Sequence, residues 1–162
     1  MVEISVEELD RIIVDKYLCK GSWICWFKKM FYYVKTWYFD ITYIPIPQSI
    51  LNELLNEWKN NVLPGSKYIA EIWDCDDFAS YFKGWFQRKL VFDRQLKLNG
   101  VGIALGTVYD SRGNELGGHA WNILVVEKDG GADVVFLEPQ TGEIFEDTSS
   151  KGYKYELEAV II

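Results

Sequence analysis

The sequence predicts an α+β fold in which a helical front half, about residues 1–92, packs on an antiparallel β-sheet built from about 100–162. Three observations point there. Apolar residues in the front half recur at three- and four-residue intervals, the spacing of one helix face. The back half switches to alternation with period two, broken by Gly-, Asn- and Asp-rich turns. The composition, 49% hydrophobic, 16% aromatic and 25% charged over 162 residues, is that of a folded chain of one domain, 1–162.

The elements follow in order. Ser5 and Glu8 have the spacing of a capping box, and Leu9, Ile12, Ile13 and Tyr17 continue as one apolar face, so a helix is expected over 5–18. The segment from Trp23 to Phe39 is dense in aromatics, carries Lys28, Lys29 and Lys35, and reads as strand in its second half. Pro45 and Pro47 stop regular structure, after which Ile50, Leu51, Leu54, Leu55 and Trp58 mark a helix ended by Pro64 and Gly65. In DCDDFASYFKGWFQRKLVF, Cys75, Ala79, Phe82 and Phe86 form a stripe and Asp74 occupies the N-cap, which places Cys75 at the first helical position. GVGIALGTVYD, GGHAWNILVVEK, DVVFLEP and YKYELEAVII read as strands. The glycines at 100, 102 and 106 lack the P-loop lysine and mark a bulge or a close backbone approach instead.

A net charge of -7 and a pI near 4.8 argue against nucleic acid as a partner. No apolar run approaches the roughly 18 residues of a membrane span, and the first residues lack a signal peptide's basic and apolar regions, so a soluble, cytoplasmic protein is expected, with no membrane partner. Three cysteines cannot all pair, and a disulfide between Cys19 and Cys25 is left open.

Cys75 lies among Glu71, Asp74, Asp76 and Asp77, whose charge opposes thiolate formation. Further on, His119, Trp121, Ile123 and Val125 point to one face of their strand, and Val134, Phe136 and Glu138 share a face of theirs. A tight hairpin at Lys128–Asp129 would pair 119 with 138; a four-residue loop, 128–131, would pair 121 with 138. Either register puts Glu138 on the face of His119, the sole histidine. A cysteine opening a helix, a histidine on a strand and a carboxylate on the next are placed for nucleophile, general base and orienting partner.

WDCDDFA, GHAWNI and FLEPQTG, with TYIPIPQSILNELL before them, resemble the papain-like protease domain of fungal chimerolectins, the family typified by the Marasmius oreades agglutinin, and more distantly the transglutaminase-like cysteine hydrolases. The resemblance covers roughly 40–145. It implies a papain-like fold and a calcium-dependent cysteine peptidase cleaving peptide or isopeptide bonds of a peptide or protein substrate. Cys75 would be the nucleophile, His119 the base and Glu138 the third member, and the domain would pair as a homodimer. It further implies calcium ligands at Asp76 and Asp77, and also at Glu71 and Gln140. A divalent ion there would outweigh the carboxylates and reverse the field at the thiol. The glutamine that papain-type enzymes place before the nucleophile is replaced by the neighbourhood of Tyr68, Ile69 and Ala70, so the second oxyanion donor is unidentified. The family's lectin module is absent from the sequence, so nothing in it implies binding to sugars. The alternatives are an acyl transferase of the same architecture and a catalytically idle calcium-binding or assembly module.

Overall fold

The computed structural model describes residues 2–19, 35–145, 149–150 and 152–162. The proposed Cys19–Cys25 pairing and most of the Trp23–Phe39 segment lie outside them. Helix α1, Val6–Ile13, starts where Ser5 accepts a hydrogen bond from the Glu8 backbone N–H, and continues as a π-type turn to Cys19. Helix α2, Gln48–Glu57, likewise widens after Glu57 and ends at Leu63–Gly65. Helix α3 spans Cys75–Arg88. No helix among the described residues is long and apolar enough to cross a membrane.

A short ladder joins β1, Ile4–Ser5, to β3, Thr42–Tyr43. The main sheet runs in the order β2 (Lys35–Trp37), β9 (Tyr153–Ile161), β4 (Val101–Tyr109), β5 (Glu115–Lys128), β6 (Gly131–Glu138) and β7 (Glu143–Phe145), with β8 (Ser149–Ser150) paired to β9. The expected antiparallel sheet is corrected at one edge. Strand β2 runs parallel to β9, pairing Lys35 with Ala159 and Trp37 with Ile161. The class is α+β with a mixed sheet.

Residues 120–126 of β5 are all buried, so alternate side chains feed two cores. Trp121, Ile123 and Val125 meet Leu9, Ile13 and Tyr17 of the α1 side with Phe136 and Tyr155. Leu124 and Val126 meet Leu54, Trp58, Phe82 and Phe86 of α2 and α3. The α1 side is tied down by Lys16 Nζ, which bonds the Asp133 carboxylate and the Val134 carbonyl, and by the Tyr17 hydroxyl on the same carbonyl.

The β5–β6 hairpin turns at Asp129 (φ 52°) and Gly130 (φ 78°), both in the left-handed region that a two-residue type I′ turn demands. Lys128 faces Gly131 and Asn122 faces Leu137, the register that the four-residue loop would produce. Gly106 sits at a bulge between β4 and β9, and a Cβ there would lie 1.9 Å from the Glu156 carbonyl oxygen. That is the close backbone approach expected of this glycine.

Candidate functional site

Three segments meet around His119–Ala120. The first is the start of α3. Asp77 accepts from the Asp74 backbone N–H at 3.3 Å, the return half of a capping box. Asp77 is thereby used in holding the helix end. The carboxylates of Asp74 and Asp76 and the sulfur of Cys75 offer ligand atoms within 4.8 Å of one another, and Asp74 Oδ1 is buried with no hydrogen-bond partner. The shared hydrogen bond and charge of Asp76 push the Asp74 carboxyl above its ordinary range. Asp74 was legible only as a cap, although the DCD spacing that brings it against Asp76 is present in the sequence.

Burial pushes the half-buried Cys75 thiol up, and the Asp74 and Asp76 charges push it further, while the Ala120 backbone N–H acts in the opposite sense. The net direction is upward, the one the acids around it in the sequence foretell.

The second and third segments are β5 and the end of β6. His119 Nε2 lies 2.7 Å from Glu138 Oε2, and Glu138 Oε1 accepts from the Gln140 backbone N–H at 3.2 Å. The His119 ring packs near Trp121 and Tyr155, with centroids 6.1 and 6.0 Å away. An open hollow of about 250 Å³ lies beside it, lined by Val108, Leu116, Gly117, Gly118, Tyr153 and Tyr155.

The structure thus brings His119 and Glu138 together and sets Cys75 beside Ala120. His119 and Glu138 belong to the Trp121–Phe136 face of the sheet, whereas α3 covers the face of Leu124. Among the described residues no hydrogen bond joins Cys75 to His119. Glu71, exposed with φ 60° in the turn before α3, does not belong to the Asp74–Cys75–Asp76 group, and Gln140 follows the end of β6 by two residues.

The agglutinin C-terminal family matches residues 43–144. None of the curated proteins matches the sequence. Among solved structures, a complex of PSL1a with E64 superposes with a TM-score of 0.63 at 20% identity, covering 99% of this chain and 51% of that one. Polyporus squamosus lectin bound to the human-type influenza-binding epitope Neu5Aca2-6Galb1-4GlcNAc superposes with a TM-score of 0.53 at 26% identity, covering 79% of this chain and 42% of that one. The chain spans about half the length of these structures or less. The expectation of a cysteine peptidase is corrected by this company: the family that matches is one of agglutinins, and the Polyporus squamosus structure is that of a lectin.

Proposed function

Because the chain belongs to the agglutinin C-terminal family, we propose that it serves as a divalent-cation-binding module of a larger agglutinin, with calcium held by Asp74 and Asp76 at the start of α3. The observation that carries this reading is the pair of carboxylates within 4.8 Å, one of whose oxygens is buried and unpaired. Hard oxygen donors fit calcium, and the sulfur between them is too soft to compete. The helix N-terminus opposes a cation there, but two carboxylates outweigh its half charge. Calcium, when bound, would supply positive charge that relieves the Asp74–Asp76 repulsion. A helix opening on Cys75 against the strand that bears His119 also supports the finer reading of the fold as papain-like in layout.

Thermal melts in calcium and in chelator test the proposal. Calcium should raise the Tm of the wild type and of Cys75→Ala alike, and Asp76→Asn should abolish the rise. A wild type indifferent to calcium overturns it. Turnover of a peptide library by the wild type, lost in Cys75→Ala, would overturn the non-enzymic part.

The Polyporus squamosus relative brings a second reading, recognition of a sialylated glycan by this module itself. The aromatic hollow beside His119, with Tyr153 and Tyr155 in its wall, is the place such a ligand would lie. Binding to a glycan array that is lost in Tyr153→Ala would support it, and a blank array would remove it.

A further inference from the structure

Asn122 has no exposed surface, yet its Nδ2 makes two hydrogen bonds that cross between elements. It donates to the Ala79 carbonyl of α3 at 2.9 Å and to the Gly102 carbonyl of β4 at 3.0 Å. Its Oδ1 is buried without a partner. An apolar side chain of similar volume would fill the site without leaving that oxygen unpaired, so packing does not account for an asparagine here.

The placement of its partners does. Ala120 and Asn122 are successive residues on the α3 side of β5, and Cys75 and Ala79 are one helical turn apart on α3. Two strand residues span about 6.7 Å and four helical residues about 6 Å, so the two spacings match. The Ala120 N–H lies beside the Cys75 sulfur, and the Asn122 amide holds the Ala79 carbonyl one turn further along. Lys83, the next turn again, donates through Nζ to the Val101 carbonyl.

We propose that Asn122 is the positioning residue of the site: it fixes the height and rotation of the first turns of α3 against β5, and so sets where Asp74, Cys75 and Asp76 stand relative to His119. The cation in this site rests on the preceding reading, whereas the clamp rests on the hydrogen bonds of Asn122 alone.

The test compares Asn122→Leu, which keeps the branched shape and removes both hydrogen bonds, with Leu124→Ala, a cavity variant on the same strand. Amide exchange over residues 78–83 and calcium affinity are measured at temperatures offset equally from each Tm. Asn122→Leu should exchange about tenfold faster over that stretch than the control and bind calcium about tenfold more weakly. Should Asn122→Leu fail to fold, Asn122→Ala, which also removes both hydrogen bonds, gives the same comparison. Exchange and affinity no different from the control overturn the proposal. A wild type that takes up no calcium removes the cation reading only, and the exchange comparison then decides the clamp by itself.

Discussion

His119 Nε2 stands 2.7 Å from Glu138 Oε2 although the β5–β6 ladder has already ended at Asn122 and Leu137. The pair closes the gap that the end of the ladder leaves, and Glu138 is nine-tenths buried in doing so. Removing the carboxylate leaves the ring nitrogen and the Gln140 N–H without their acceptor. Glu138→Ala should cost about 1–3 kcal/mol in chemical denaturation, and Glu138→Gln less, because its carbonyl still accepts.

Asp76 beside Asp74 sets two effects against each other. Without calcium, Asp76→Asn removes a like charge and should raise the Tm at neutral pH, since the folded-state pKa of Asp74 is raised and its ionisation there disfavours the fold. With calcium the order should reverse, the wild type gaining and the variant not. Melts of both proteins in calcium and in chelator check the crossover.

Gly106 has no room for a methyl group, because a Cβ would meet the Glu156 carbonyl oxygen at 1.9 Å and the Trp121 ring at 2.9 Å. Backbone cannot swing aside as a side chain does. Gly106→Ala should lose about 3 kcal/mol or more in urea unfolding, whereas Gly84→Ala, with open space at its Cβ, should be neutral or stabilising.

Asp133 is half-shielded, which alone would raise its carboxyl, but hydrogen bonds from Lys16, Lys128 and the Val134 N–H outweigh this and hold it below the usual range. A depressed folded-state value means that the contribution to stability is complete above the ordinary aspartate value of about 3.9 and is lost as pH falls through the lower folded value. Asp133→Asn should therefore lower the Tm at pH 7 and flatten its decline in acid, as scanning calorimetry from pH 7 to pH 2 would record.

Local chemistry made much of this protein legible. Ser5 and Glu8 announce the start of α1, and Pro64 and Gly65 the end of the helical stretch after α2, because caps depend on residues a few positions apart; the hairpin stayed open between Lys128–Asp129 and a 128–131 loop, and the structure turns it at Asp129–Gly130. Alternation placed His119 and Glu138 on one face before any coordinates, since parity survives either register. The parallel partnership of β2 with β9 was hidden, because nothing local in either strand selects a partner more than a hundred residues away. Asp74 read as a cap alone, since its closeness to Asp76 becomes visible only when the helix start is built.

By itself, the sequence determined where α1 and α3 open and which strand residues share a side, consequences of backbone geometry over a few residues. Tertiary structure decided that α3 covers one face of β5 while His119 and Glu138 occupy the other, and that Asn122 joins the Ala79 and Gly102 carbonyls across three elements. Those relations depend on how a helix is seated on a sheet, which follows from the packing of two cores and not from the spacing of any motif.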